Sequence, residues 1–306
     1  MRVAAIDQGT NTTRLLVADV VDGDVQEVVK RTRITRLGEG VDARRRLLPL
    51  PIARVRNCLT EYRRELESLG AERTLLVATS AVRDAENGEA FLGEIEWSYR
   101  FTTRLLSGDE EAELTLRGVG ETSDSTLVVD IGGGSTELIG GAQQISLDVG
   151  AVRLTERHLP SDPPTDEELE ACAAAVRGVL PDGPRPERAI GVAGTITSLA
   201  ALDLALAEYD PKRVHGHRLT LDGVQQQLSR LASMPLAERR RVPALDPERA
   251  PVIVAGAIIL REVLAHYGLE EIEASERDIL HGAALEAAAL PEPVEGDAPP
   301  GAYTCC

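Results

Sequence analysis

The segment VAAIDQGTNTTRLLVADV, which starts at Val3, has an echo in TLVVDIGGGSTELIGGAQ, which starts at Thr126. In each, an apolar run ends in an aspartate (Asp7, Asp130) and a glycine follows two residues later (Gly9, Gly132). Hydroxyl residues come next, and a second apolar run returns. Such a pattern reads as a β-hairpin, because glycine adopts the positive φ that tight turns need. The turn also exposes several backbone N–H groups, which makes it a cradle for an anion. One Asp-x-Gly hairpin is commonplace. Two of them heading successive halves imply a duplicated domain with a cleft between the copies.

The segments that follow each hairpin alternate between strand and helix patterns. In the first half they are the strand VVKRTRITRL, an amphipathic helix from about Pro51 to Leu69 and the strand TLLVATS. A helix from Asn87 to Glu96, the strand FTTRLLS and a helix from Asp109 to about Gly118 complete that half. The second half has a helix within TDEELEACAAAVRGVL, the strand RAIGVAG and then mostly helix. Its last periodic stretch, SERDILHGAALEAAAL, reads as a helix that packs back on the first half. Proline-rich LPSDPPTD and LPDGPRPE are loops. The class is α/β with mixed sheets. Two domains suit a chain of 306 residues: domain I over 1–117 plus 278–291, and domain II over 118–277. The Pro-, Gly- and acid-rich tail over 292–306 is expected to be disordered.

Apolar residues make up 43% of the chain and charged residues 27%, a globular composition. No apolar run approaches the ~20 residues that span a bilayer, and the start, MRVAAIDQGT, lacks the apolar core of a secretory signal. The expectation is a cytoplasmic protein. Cys58, Cys172, Cys305 and Cys306 show neither metal-ligand spacing nor a disulfide framework, and Cys58 and Cys172 read as packed thiols. A net charge of −17 opposes binding to nucleic acid or to an anionic membrane. A polyanionic ligand therefore needs a locally positive site. Nearly all positive charge is arginine, with lysine only at 30 and 212.

Five segments occur in order: IDQGTNT, ATSAVRDA, LSGDEEAEL, VVDIGGGSTEL and GVAGTITSLA. Together they resemble the exopolyphosphatase and guanosine-pentaphosphate phosphohydrolase (Ppx/GppA) family. RLGEGVD, SLDVGAVRLTE and VHGHRLT share the likeness, which runs from residue 1 to about 290. The resemblance implies two duplicated ribonuclease-H-like domains with a cleft between, as in actin, sugar kinases and heat-shock ATPases, in the short two-domain form. It implies an Mg²⁺-dependent hydrolase that removes terminal phosphate from inorganic polyphosphate, with guanosine pentaphosphate as the alternative substrate. Stimulation by K⁺ stays open, and a homodimer is the expected assembly.

The residues themselves point the same way. Gly132, Gly133 and Gly134 let backbone amides approach phosphate oxygens, and the Ser135 hydroxyl adds a donor. The partner turn offers Gly9, Thr10 and Asn11. Gly194 and Thr195 follow an apolar strand and precede a helix, whose N-terminus attracts anions. Arg83 follows the strand TLLVATS, at the strand end where ligands bind in open α/β sheets. Asp7 and Asp130 are hard oxygen donors suited to Mg²⁺. Ser107 and Glu110 form an S-x-x-E capping box, which fixes the backbone of Glu111 in a first helical turn. By resemblance, Glu111 is the general base that activates water, Arg83 grips phosphate, and Glu137 belongs to the site.

The basic residues Lys30, Arg31, Arg33, Arg36 and Arg44 to Arg46 form either a guide for a longer polyanion or a solvated face. His215 and His217 read as structural. The chain carries no G-x-x-x-x-G-K-[ST] loop and no G-x-S-x-G elbow, so P-loop and serine-hydrolase chemistry have no support. A small-molecule kinase would need an adenosine pocket and an acceptor site, neither legible in the sequence. A non-hydrolytic nucleotide switch has no use for a water-activating Glu111.

Overall fold

A computed structural model describes residues 1–120, 122–140, 143–183 and 185–291. The expected tail over 292–306, with Cys305 and Cys306, lies outside the described residues. Both hairpins form. Strands β1 (Arg2–Gln8) and β2 (Thr12–Val21) are antiparallel, with Asp7 opposite Arg14. The equivalent strands β6 (Thr126–Ile131) and β7 (Thr136–Gly140) set Asp130 opposite Glu137.

Around each hairpin the chain builds the same sheet. In the first, β3 (Asp24–Ile34) extends the hairpin antiparallel, while β4 (Arg73–Ala78) and β5 (Thr102–Leu105) add in parallel beyond β1. The order is β3-β2-β1-β4-β5. In the second, β8 (Gln143–Leu147) extends the hairpin, and β9 (Arg188–Val192) and β11 (Glu271–Ala274) add in parallel beyond β6. One further strand, β10 (Arg218–Thr220), joins β11 antiparallel at the edge. The duplication is thus one of topology as well as sequence. Strands β8, β10 and β11 escape the sequence reading. The last two are three and four residues long, and EIEA is a strand through its pairing with β9 rather than through a pattern of its own.

Because β1 is buried on both faces, its apolar run shows no polar alternation. Val3 and Ala5 pack with the helix Ile279–Ala289, which returns to the first sheet. Ala4 and Ile6 face the opposite side, against the helices Pro49–Ser68 and Gly88–Tyr99. The helix Gly108–Val119 lies between the two sheets. Its Leu114 joins the cluster of the C-terminal helix, and its Ala112 packs on Val128, Ile139 and Ile190 of the second sheet. Its capping box forms as expected, with Glu110 N donating to Ser107 Oγ at 3.2 Å and Ser107 N donating to Glu110 Oε2 at 2.8 Å. Glu111 therefore enters the molecule from a first turn anchored against both halves. Cys58 and Cys172 are buried, and burial pushes their thiols up to about 11 and about 12. No helix among the described residues is long and apolar enough to cross a membrane.

The wedge helix and the C-terminal helix touch backbone to backbone. A Cβ on Gly282 would overlap the Leu114 carbonyl, and one on Gly118 would overlap the Asp278 carbonyl. Alanine is intrinsically better than glycine in a helix by about 1 kcal/mol. Overpacking against backbone, which cannot rotate away, costs about 1–3 kcal/mol. Gly282→Ala is therefore expected to destabilise in urea denaturation. Gly93→Ala, in a helix where a Cβ meets nothing within 4 Å, should stabilise by about 0.5–1 kcal/mol. Equal effects at the two positions would remove the close crossing.

Candidate active site

The two glycine turns are built alike. Gly9 N donates to Thr12 O at 2.9 Å, and its counterpart Gly132 N donates to Ser135 O at 3.0 Å. Each turn then has its carbonyls bound from behind. Thr10 O accepts from Gly38 N, and Asn11 O accepts from Thr35 N and Arg36 N, at 2.8–3.0 Å. Gly132 O accepts from Ala151 N at 3.0 Å, and Gly133 O from Val152 N at 2.8 Å. Gly134 O accepts from Arg153 Nε at 2.7 Å. With the carbonyls held on one side, the N–H groups of Gly133 and Gly134 have no protein partner among the described residues. The turns also abut. A Cβ on Gly133 would lie 2.9 Å from Thr10 Cβ and 3.2 Å from Asn11 N, and one on Gly134 would overlap Ser80. Only glycine permits this approach.

The cleft between the halves measures about 760 Å³. Asp7, Thr10, Asn11, Glu111, Asp130, Gly132, Gly133, Gly134, Ser135, Gly194 and Thr195 all line it, eleven residues drawn from four separate sequence segments. Gly194 and Thr195 stand in the first turn of the helix Ala193–Asp203, directly after β9. Ala193 reaches that turn with φ of 64°, a conformation uncommon for a residue with a side chain. Arg83 and Glu137 stand behind the cleft wall. Arg83 Nη1 donates to Leu106 O at 2.7 Å and to Glu111 Oε2 at 3.2 Å. Its ion pair is thus with Glu111 and not with the adjacent Asp84. Glu137 is fully buried, and its Oε1 accepts from Ser146 Oγ at 2.7 Å.

The carboxylates crowd together with little compensating charge. Burial, then the neighbouring Glu137, raises Glu111 well above the usual carboxylate range, against the opposing pull of Arg83. Burial and Glu137 likewise raise Asp130, and burial raises Glu137 itself. Asp7 is raised by burial, with Arg14 opposing. Two buried oxygens, Asp7 Oδ1 and Glu137 Oε2, have no hydrogen-bond partner. Orphaned acceptors beside raised carboxylates are the donor set that a hard cation satisfies. Among the described residues, no three His, Cys, Asp or Glu side chains converge into a closed metal site.

A cleft with free amides, a buried carboxylate fixed by an arginine, and cation donors at the hairpin ends has the parts of a phosphatase. The model of the Ppx/GppA phosphatase family matches residues 16–289. The chain belongs to that family. Exopolyphosphatase 2 of Mycobacterium tuberculosis is 41% identical over 314 aligned positions, which cover 94% of this chain and 98% of the relative. A crystal structure of an exopolyphosphatase-like protein, 33% identical, superposes with a TM-score of 0.88 over 94% of this chain and 98% of that one. The Aquifex aeolicus member of the Ppx/GppA family, 32% identical, gives 0.76 over the same shares. Membership makes the chain a phosphoanhydride hydrolase with the two-lobed α/β fold expected from the sequence.

Several polar residues of this Ppx/GppA cleft escape the sequence reading. Arg14 donates to Asp7 Oδ2 from Nε at 2.9 Å and from Nη2 at 2.6 Å, and its Nη1 pairs with Asp278. The signal was present in the echo, since Arg14 and Glu137 occupy the same place in the two hairpins. Arg249 lies against Gly194, where any Cβ would overlap its guanidinium, and no sequence pattern announces it. The basic cluster divides. Lys30 lines the cleft and donates to Glu276 O at 2.6 Å, whereas Arg31 pairs with Glu65 and Arg33 with Glu61 on an exposed face. Arg36 pairs with Glu248. Arg44, Arg45 and Arg46 are exposed. His217 Nε2 meets Asp203 at 2.8 Å, and His215 Nδ1 accepts from Glu276 N.

Arg14→Met would leave Asp7 and Asp278 facing each other without their shared cation. Stranding buried charge in this way costs roughly 3 kcal/mol or more. The expected result is a clear drop in the urea midpoint, partly recovered by adding Asp278→Asn. A midpoint unchanged by Arg14→Met would mean that the network contributes nothing.

Proposed function

We propose that this chain is an exopolyphosphatase that releases terminal phosphate from inorganic polyphosphate. The observation that carries the reading is the pair of abutting turns with free amides, placed beside the Arg83-held Glu111 in a chain of net charge −17. An acidic protein that presents backbone N–H groups, Lys30 and Arg249 in one cleft is built to take an anion there and to repel it elsewhere. The turn amides and the Ser135 hydroxyl hold the oxygens of the terminal phosphoryl group, and Arg249 and Lys30 hold those further along the chain. Glu111, made more basic by burial, accepts in its ionised form the proton of the attacking water, and Arg83 fixes which oxygen faces it. Asp7 and Asp130 are the residues that would hold Mg²⁺, which, when bound, would offset charge on the phosphoryl oxygens. A cytoplasmic location and a homodimer belong to the same reading and rest on resemblance.

Guanosine pentaphosphate is a second reading with an observation of its own. On the side of the second sheet the cleft is lined by Ala207, Tyr209, Pro211, Leu245, Pro247 and Val252. An apolar and aromatic wall of this kind accepts a nucleobase, whereas a bare phosphate chain has no use for it. Phosphate release from polyphosphates of defined length, guanosine pentaphosphate and ATP, compared side by side, separates the two. Polyphosphate is expected to give the highest kcat/KM. Activity is expected to vanish with EDTA and return with Mg²⁺. Preference for the guanosine compound would hand the function to the second reading, and full turnover without metal would remove the cation from both.

Glu111→Gln tests the base. Loss of general-base catalysis should reduce kcat by about 10²-fold or more, with polyphosphate binding retained. Glu111 is an acid whose pKa is raised on folding, so its ionised form is disfavoured in the native state at neutral pH. A neutral glutamine should therefore leave the melting temperature unchanged or slightly higher. Near-normal hydrolysis by the folded variant would exclude Glu111 as the base.

A further inference from the structure

The second glycine turn is held from behind by the helix Ala151–His158, and one side chain of that helix does more than hold it. Arg153 is 7% exposed and uses all three of its guanidinium nitrogens. Nε donates to Gly134 O at 2.7 Å, within its own half. Nη1 donates to Asp42 at 2.5 Å and Nη2 to Asp84 at 2.5 Å, both in the half that carries the first hairpin. Asp84 directly follows Arg83, which fixes Glu111. Asp42 follows Val41 in the short helix Val41–Arg44, just after the loop whose amides bind the first turn from behind. One guanidinium thus ties a carbonyl of the second turn to the segments that hold Arg83 and the first turn.

We propose that Arg153 is a positioning residue that couples closure of the two halves to the aim of the phosphate-binding amides. The fork is planar and rigid, so its three acceptors are satisfied together only when the halves meet in one register. Gly133 and Gly134 have no side chains to brace them, and a turn of this kind keeps its amides aligned only while its carbonyls are held. Loss of the pin leaves Gly134 O free to rotate and releases Asp84, so the amides and the Arg83–Glu111 pair lose their common frame. Transfer of a phosphoryl group requires that frame more than binding of the chain does, so the effect falls on kcat rather than on KM.

Arg153→Gln, Arg153→Lys and Arg157→Gln separate this role from a general cross-half attraction. Arg157 also bonds Asp42, from Nε and Nη2 at 2.5 Å, but its side chain is 46% exposed and, among the described residues, it bonds no atom of the second turn. Phosphate release is measured on tripolyphosphate with Mg²⁺, and folding by melting temperature. R153Q is expected to lose about 10²-fold in kcat with KM moved by less than about threefold. R153K keeps the charge without the three-way span and should recover about tenfold of that loss. R157Q should keep the wild-type kcat. A folded R153Q within twofold of wild type overturns the proposal, as does an equal loss in R157Q. If R153Q does not fold, R153K decides alone, and a kcat within twofold of wild type overturns it. The proposal builds on the phosphatase reading, so scattering by the ligand-free proteins supplies a separate arm. Should the wild type release no phosphate, that reading of the substrate fails. Arg153 is then judged by whether R153K enlarges the radius of gyration, and an unchanged radius overturns it.

Discussion

A mostly buried guanidinium, that of Arg14, joins three parts of the molecule that are far apart in sequence. It holds Asp7 at the end of β1, Asp278 at the start of the C-terminal helix, and the strand β2 on which it stands. Burial of Asp278 alone would raise its pKa, yet the cation beside it and the His281 contact reverse the sign and hold it well below the usual carboxylate range. The charge that Arg14 supplies is therefore part of the fold. Without it the C-terminal helix would place a carboxylate against the carboxylate of the first hairpin. That helix packs on the helix Gly108–Val119, which carries Glu111, so the alignment of Glu111 depends on the same interaction.

Duplication supplied two equivalent hairpins, and their difference makes the chemistry. The position opposite the aspartate holds a cation in the first hairpin and a carboxylate in the second. Burial disfavours the ionised form of Asp7 and its Arg14 partner opposes that, while Asp130 and Glu137 face each other with their ionised forms disfavoured. A symmetric pair of Arg hairpins would leave nothing for a divalent cation to bind. A symmetric pair of Glu hairpins would bury more like charge than one site can tolerate. The asymmetry gives Asp7 a cation of the protein's own and leaves Asp130 facing a second carboxylate.

The turns solve a second electrostatic problem. A protein with so many acids repels anions from most of its surface, and side-chain cations near the buried carboxylates pair with them, as Arg14 and Arg83 do. Backbone amides carry partial positive charge that no carboxylate can remove by proton transfer or by swinging away. Binding the carbonyls from behind, through Thr35 to Gly38 in one half and Ala151 to Arg153 in the other, turns those amides toward the ligand. The same backing segments meet across the seam, where Glu156 accepts from Gly40 N at 3.2 Å and Arg153 reaches Asp42.

The hairpins, the capping box under Glu111 and the anion-cradling turns were legible in the sequence because each is a local device. A missing side chain in a turn, a capping hydroxyl and an apolar period depend on neighbours within a few residues. The strand EIEA and the three-residue β10 were not legible, since so short a segment is a strand only if a partner strand is already there. The role of Arg14 could be read in part, from its place in the echo, but Asp278 as its second partner could not. Arg249, Lys30 and the Arg83–Glu111 pair belong to the same class. Their meaning comes from contacts between segments tens to hundreds of residues apart, and no local pattern encodes which charge will face which. Sequence alone thus determined the duplicated α/β halves and the local devices within them. Tertiary structure decided which carboxylates are neutralised and which are left wanting a cation, because that follows from burial and from the pairing of distant charges.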